Sequence, residues 1–344
     1  MALNADEDRL GVIVLGASAG GVDALSAVVA GLPPDIPAAV CVVLHLAPQG
    51  KSVLPHILES RSRLPARHPA DLERLRPAHV YVAPPDFHLV VDRGWVRLTG
   101  EPRENGLRPS VDTLFRSAAQ AYGPRVIGVV LSGTLDDGTA GLLAIKQHGG
   151  IAIVQDPEEA LFPSMPASAA RFADPDHVVQ LEKIPELLVN LIEERVAQPP
   201  VAAALDGDPP MDEQVQSDNA SAEAQPGDPS EFTCPECGGT LWVQEEGDLL
   251  RFRCRVGHAY STESLLADQR QALEAALWAA VVALEERADL AKRLSDRMHG
   301  RGRTRSSTRF EREAGDARER AGLVRDAIIH LRVPVDVEEG VEDG

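Results

Sequence analysis

Cysteine is scarce in this 344-residue chain. Cys41 stands alone in an apolar run, and Cys234, Cys237 and Cys254 lie close together. One isolated thiol and a cluster of three exclude a disulfide framework and point to a reducing compartment with one metal site. Long apolar runs are missing as well. None approaches the ~20 residues that cross a bilayer, so no membrane insertion is expected. Positive charge is short: 34 Lys and Arg against 53 Asp and Glu leave a formal net charge of -19. That balance argues against nucleic acid and anionic membranes as general partners. The opening residues, Met-Ala-Leu-Asn-Ala-Asp-Glu-Asp, lack the basic start of a signal peptide, and a cytoplasmic location is expected. No internal repeat is visible. The length allows one large domain and a smaller one.

What is present divides by texture. Over residues 10 to about 195, short β-rich runs (Val12 to Leu15, Ala39 to Leu44, His79 to Val82, Val126 to Leu131, Ile151 to Val154) alternate with helical patterns at Gly21 to Gly31, Ser52 to Ser60, Ser110 to Tyr122 and Thr139 to His148. The alternation predicts an α/β fold with a doubly wound, mainly parallel, Rossmann-like sheet. Phe87 to Thr99, with Asp-Arg-Gly between two alternating runs, reads as a β-hairpin. The expected catalytic domain is 1–196. Residues 197–231 carry eight acidic residues and no Lys or Arg, the composition of a disordered, self-repelling linker. A compact unit over 232–260 and a helical region over 261–333 follow, then an acidic tail over 334–344.

In the first runs, Leu10-Gly-Val-Ile-Val-Leu-Gly-Ala-Ser18-Ala-Gly-Gly leads into a turn, and Cys41-Val-Val-Leu-His45 ends on a histidine. Two parallel strands deliver both residues to the sheet edge where open α/β folds carry ligands. A serine beside an imidazole suggests a nucleophile and its base. A dinucleotide loop is a poorer reading, because Ser18 occupies the position where the fingerprint needs glycine. A plain helix cap at Ser18, and a structural histidine at a strand end, remain alternatives. A third strand end, Val129-Val-Leu-Ser-Gly-Thr-Leu-Asp136-Asp137-Gly, supplies two candidate carboxylates. Ser110 and Asp112 read as caps of the helix after Pro109, whereas Arg108 could also bind substrate.

Taken together, Gly-Ala-Ser18-Ala-Gly-Gly, Leu44-His45 with Pro48, His79-Val-Tyr-Val-Ala-Pro-Pro-Asp86, Arg108-Pro-Ser-Val-Asp112, Leu131-Ser-Gly-Thr-Leu-Asp-Asp137-Gly and Gln155-Asp-Pro with Met165-Pro resemble the catalytic domain of the chemotaxis receptor methylesterases, the CheB family of protein-glutamate methylesterases. The resemblance covers roughly residues 10 to 195. It implies Ser18 as nucleophile, His45 as general acid/base and Asp137, rather than Asp136, as the orienting carboxylate. It also implies an oxyanion hole from the backbone amides of Ala19 and Thr134. The implied activity is hydrolysis of glutamyl methyl esters on a methyl-accepting receptor or related signalling protein, releasing methanol without a catalytic cofactor, with glutamine deamidation as a second activity. Two departures stand out: Ala19 where the family often has Thr, and Gly133-Thr-Leu-Asp136-Asp137 in place of a Gly-Met-Gly-type sequence. Many members carry a receiver domain ahead of the esterase; with about nine residues before the first strand, none is expected in this chain. A signalling adaptor without catalysis, or a serine esterase or amidase with another substrate, are the competing functions.

Cys234-Pro-Glu-Cys237-Gly-Gly and Cys254-Arg-Val-Gly-His258 have the spacing of a closed, structural Cys3His zinc site around a hairpin, a zinc-ribbon-like unit. A redox Cys-x-x-Cys pair would want a βαβ setting. Leu266, Leu273, Leu277, Ala280, Leu284, Ala288, Ala291 and Met298 keep helical spacing, and a second helical stretch runs from about Ser307 to Leu331. The pair predicts an antiparallel hairpin or short coiled coil, able to mediate homo-oligomer or partner contacts. Arg-rich 297–312 is expected as a solvated loop between the helices.

Overall fold

The computed structural model describes residues 10–46, 48–197, 227–246 and 249–331. Most of the acidic segment expected as a linker (198–226) and the acidic tail lie outside them. The chain divides into two compact units, residues 1–265 and 266–344.

In the first unit the elements run β1 (Gly11–Ala17), α1 (Gly21–Ala30), β2 (Ala38–Leu44), α2 (Leu54–Arg61), β3 (Ala66–Arg67), β4 (Glu73–Arg74), β5 (His79–Val82), β6 (His88–Asp92), β7 (Trp95–Thr99), α3 (Val111–Tyr122), β8 (Val126–Val130), α4 (Thr139–Gln147), β9 (Ile151–Gln155), α5 (Ser164–Phe172), β10 (His177–Val179) and α6 (Ile184–Ala197). Seven strands form one parallel sheet in the order β10-β9-β8-β1-β2-β5-β3. β1, β2, β8 and β9 are buried along their whole length. That explains why they read as unbroken Val/Ile/Leu/Ala runs: a parallel sheet is covered on both faces. One face packs Ile13, Leu25, Val28, Leu58, Leu188 and Ile192. The other packs Val14, Cys41, Leu114, Phe115, Leu142 and Met165. Burial pushes the Cys41 thiol pKa up to about 12, so it behaves as an inert apolar residue. β6 and β7 pair as the expected hairpin, with β4 added at the edge.

Still within this unit, β11 (Asp228–Thr233), β12 (Thr240–Glu246), β13 (Leu249–Cys254) and β14 (Ala259–Ser261) form a four-stranded antiparallel sheet. The sheet begins at Asp228, so the expected linker end at 231 is corrected. β11 is an edge strand, where Pro229 can pair opposite Trp242 without interrupting a central ladder.

α7 (Thr262–His299) enters the second unit, and α8 (Thr304–Leu331) follows. Their contacts run antiparallel. Ser295 Oγ donates to Ser307 O at 3.0 Å, Lys292 pairs with Glu311 at 3.1 Å, and Arg325 pairs with Glu285. The seam is built from small side chains, Ala288, Ala291, Ala314, Ala317 and Ala321, with Val281 and Ile328. The Arg-rich stretch is mainly helical, against expectation: arginine is a good helix former, and only residues 300–303 interrupt the helices. Leu266 and Leu273, expected in the seam, are exposed. They lie on the part of α7 that precedes its overlap with α8.

Candidate active site

β1 and β2 are neighbours in register, Ala17 opposite Leu44. The residues that follow, Ser18 and His45, are therefore set side by side at the carboxyl edge, and the His45 N–H donates to Ala17 O at 3.2 Å. β8 flanks β1 on the other side, and Ser18 N donates to Ser132 O at 3.0 Å. Chain order reverses between β1 and β8, the switch point where such sheets open a crevice. Gly20 (φ +72°) turns the chain into α1. Ser132 braces the turn: its Oγ donates to Ala19 O at 2.9 Å and accepts from Phe162 N at 3.0 Å. Gly133 has room for no side chain, since a Cβ there would lie 2.9 Å from Ser18 Cβ and 2.5 Å from Met165 Sδ.

His45 Nε2 meets Asp137 Oδ2 at 2.8 Å. Asp136, the rival carboxylate, faces elsewhere and accepts from Ser261 Oγ at 2.7 Å. Asp137 is only 1% exposed. Its carboxylate accepts four further hydrogen bonds: Val111 N at 2.7 Å, Ser110 Oγ at 2.9 Å, Asn105 Nδ2 at 3.0 Å and Asp112 N at 3.2 Å. Burial acts to raise its pKa, but the His45 hydrogen bond, the attraction to His45 and the Val111 amide together hold it below the ordinary value. Two of those donors are the first N–H groups of α3, whose dipole favours an anion.

The arrangement is reciprocal. Asp137 precedes α4 and accepts from the start of α3. Asp112 lies in the first turn of α3, and its Oδ1 accepts from Gly138 N (3.0 Å) and Gly141 N (2.7 Å) at the start of α4. Asp112 therefore caps α4, whereas Ser110 is the cap of α3. Burial and the nearby Asp137 charge raise the Asp112 pKa to about 7. Arg108 is held by Asp86 (2.7 Å) and by the Gly100 and Glu101 carbonyls (2.9 Å each). Its guanidinium organises the loop before α3.

The backbone N–H groups of Ala19 and Thr134 have no hydrogen-bond partner among the described residues. Ser18 Oγ likewise makes no hydrogen bond among them. With Nε2 committed to Asp137, the nitrogen of His45 left for a serine proton is Nδ1.

Sequence reasoning missed several residues of this network. His88 is buried, accepts Ser110 N–H on Nδ1 at 3.3 Å and faces Pro102 O through Nε2 at 3.1 Å. Burial lowers its pKa, so it holds the loop as a neutral imidazole. Asn105 and Arg251 were also missed. Asn105 sits at φ +56° before Gly106, a dipeptide that signals a turn but not its partners.

A family model described as CheB methylesterase matches residues 13–188. The chain belongs to the CheB methylesterase family. A Leptospira interrogans relative is 37% identical over 188 residues, which are 54% of this chain and 97% of that protein. A protein-glutamate methylesterase/protein-glutamine glutaminase from Anaeromyxobacter dehalogenans is 41% identical over 53% of this chain and 54% of its own length. The crystal structure of the Thermotoga maritima CheB methylesterase catalytic domain is similar with a TM-score of 0.51 and 36% identity, over 53% of this chain and 98% of that one. The CheB match ends before the four-stranded sheet, the Cys3His cluster and both long helices.

In that C-terminal region, Cys234, Cys237, Cys254 and His258 bring their ligand atoms within 4.8 Å of one another. Two turns present them: Gly238 N donates to Cys234 O at 2.8 Å, and Gly257 N to Cys254 O at 3.0 Å. Cys237 Sγ and Cys254 Sγ are 3.6 Å apart, and His258 Nδ1 lies 3.5 Å from Cys254 Sγ and 3.6 Å from Cys234 Sγ. A tetrahedral zinc with Zn–S near ~2.3 Å and Zn–N near ~2.0 Å would put such edges at roughly 3.5–3.8 Å. His258 Nε2 reaches Glu236 Oε2 at 3.0 Å, the carboxylate contact that typically fixes the tautomer of a metal-ligating imidazole. These four residues could hold a metal ion.

Among the described residues, no helix is long and apolar enough to cross a membrane.

Proposed function

We propose that the protein hydrolyses glutamyl methyl esters on a methyl-accepting receptor or another methylated signalling protein, through Ser18, His45 and Asp137. The observation that carries this reading is the His45–Asp137 contact at 2.8 Å, in register beside Ser18. Asp137 fixes the imidazole with Nε2–H toward the carboxylate and Nδ1 free. Ser18 Oγ attacks the ester carbonyl and passes its proton to His45 Nδ1. The developing oxyanion accepts from the unpaired amides of Ala19 and Thr134, donors worth on the order of 100-fold or more each in such sites. The tetrahedral intermediate collapses; His45 returns the proton to the methoxy oxygen, and methanol leaves. Water, deprotonated by His45, then cleaves the acyl-serine to free the glutamate and regenerate the hydroxyl. A glutamine side chain would follow the same course with ammonia as leaving group, in keeping with the glutaminase in the relatives' names.

Zinc in the Cys3His cluster would be structural, with all four positions filled by protein and no opening for substrate. The unit is zinc-ribbon-like in its paired turns and hairpin. The antiparallel helices that follow would serve as a surface for a partner or a second copy of the chain.

The test is methanol release from a methylated receptor cytoplasmic domain by the wild type and by Ser18→Ala. Release that depends on Ser18 supports the reading. Absence of release, with Ser18 still labelled by a fluorophosphonate, would assign an esterase of other specificity. Absence of both would leave an adaptor.

A further inference from the structure

The cysteine-bearing sheet is built into the foundations of the esterase site. Arg251 of β13 is 5% exposed, and its guanidinium reaches across 139 residues of chain to Asp112 Oδ2 at 3.2 Å; it also pairs with Glu104. Glu104 is buried too, pairs with Arg116 and accepts from Thr113 Oγ1 at 3.0 Å. Asn105 is the second link. Its Nδ2 donates to both Asp137 and Asp112, while its Oδ1 accepts from Ser261 N (2.9 Å) and Ser264 Oγ (3.0 Å). The amide of an asparagine can serve both sides at once only if the donors on the far side are supplied, and β14 and the start of α7 supply them. The third link is backbone. Ala259 directly follows the cluster residue His258; its O accepts from Asn105 N at 2.7 Å and its N donates to Arg103 O at 3.3 Å. Arg103 in turn lies 3.9 Å from Glu236, the partner of His258.

We infer that Arg251 and Asn105 are positioning residues for the Asp137–His45 pair, and that metal held by Cys234, Cys237, Cys254 and His258 sets the catalytic rate of the esterase by holding them in place. A sheet this small, with a core of Leu241, Phe252, Tyr260 and few others, depends on metal to keep its shape. Loss of metal frees the turn at His258 and with it Ala259. Arg251 then no longer balances two buried carboxylates, and Asn105 loses the donors that orient it toward Asp137. Arg251 touches no reacting atom, and its effect passes through Asp112 and the loop at Glu104. The inference rests on the esterase reading for its rate effect but not for its structural effect, so the test has two readouts.

The full chain is prepared with zinc, stripped with a chelator, and reloaded with one equivalent. Removal lowers kcat by about tenfold or more and leaves KM within about twofold, and reloading restores it. This is a fraction of the ~10⁴-fold that losing an orienting aspartate costs. Arg251→Met gives a similar loss in the loaded protein, and Arg251→Lys recovers part of it by restoring charge without the fork. Metal removal from Arg251→Met costs little more, because both act on one path. Ser264→Ala is the mild variant if Arg251→Met does not fold, and lowers kcat severalfold. The second readout is the downfield proton resonance of the His45–Asp137 hydrogen bond, which weakens in stripped protein and in Arg251→Met. Metal-free protein that keeps both its kcat and this resonance overturns the inference. If the wild type shows no Ser18-dependent hydrolysis, the esterase reading fails. The resonance then decides alone: retained on stripping, it refutes the coupling; lost, it supports it.

Discussion

Replacing Asp137 by asparagine changes one atom of a carboxylate that receives five hydrogen bonds, and the structure indicates which way the amide must sit. Oδ1 accepts from Asn105 Nδ2, Ser110 Oγ and Asp112 N. Oδ2 accepts from His45 Nε2 and Val111 N. Of the three donors at Oδ1 only the Ser110 hydroxyl can reverse its role, since the Asn105 amide is fixed by the donors on its Oδ1, so an NH₂ there would face two donors that cannot turn. At the Oδ2 position it faces one such donor, Val111 N, and a histidine that can change tautomer. The amide therefore points its NH₂ at His45, which shifts its proton to Nδ1, the nitrogen needed as base. The expected loss is about 10³–10⁴ in kcat with KM nearly unchanged, the size found when a triad aspartate is made neutral and the tautomer is wrong. Val111 N–H loses its acceptor and α3 loses an anion at its N-terminus, a combined cost of about 1–4 kcal/mol in stability. Steady-state kinetics on a methyl ester substrate, with a urea melt on the same preparation, measures both. Retention of more than a tenth of wild-type kcat, or a loss confined to KM, would refute the assignment of Asp137 and the tautomer argument with it.

Three further outcomes follow from the same contacts. Asp136→Asn keeps the hydrogen bond from Ser261 but no longer titrates. Burial raises the Asp136 pKa to about 6, so the folded state holds this proton longer than the unfolded chain does. The wild type therefore loses stability from this group as pH rises from about 4 to about 6; the variant lacks that fall, worth about 2–3 kcal/mol, in urea melts across pH, and keeps kcat within about threefold. Gly133→Ala would drive a methyl into Ser18 Cβ and Met165; kcat falls at least tenfold through displacement of the nucleophile, and an unchanged kcat would show that the loop yields freely. Cys254→Ser removes a candidate ligand that lies within 3.6 Å of both Cys237 Sγ and His258 Nδ1; metal analysis should fall from about one zinc per chain to near zero, and full retention of metal would remove Cys254 from the site.

The fold and the central residues were legible in the sequence because each announced itself locally. An unbroken apolar run such as Val12 to Leu15 is what a strand covered on both faces requires. A glycine turn directly after it places Ser18, and a neighbouring run that stops at His45 places the candidate base. The distinction between Asp136 and Asp137 was not local. Two adjacent carboxylates on one turn differ only in what lies across from them, and the start of α3 selects Asp137 by offering its first amides. The Arg-rich segment misled because charge pattern says little about conformation when helix propensity is high. Leu266 and Leu273 misled because helical spacing defines a face and not its partner.

Arg251 was the least legible residue and carries the most structural information. In sequence it is one arginine in an alternating hairpin, a position that ordinarily faces water. In the fold it is buried between Asp112 and Glu104. An arginine so placed gains nothing for the hairpin itself, because removing an ion from water is costly unless the partners it meets are already committed there. Those partners are committed: Asp112 caps α4, and Glu104 holds Arg116 and Thr113. The acids beneath the candidate site thus meet, besides Arg116, a second cation from outside the region matched by the CheB family. The cysteine-bearing sheet provides it, and this is the physical reason to treat that sheet as part of the enzyme's working core rather than as an appended docking module.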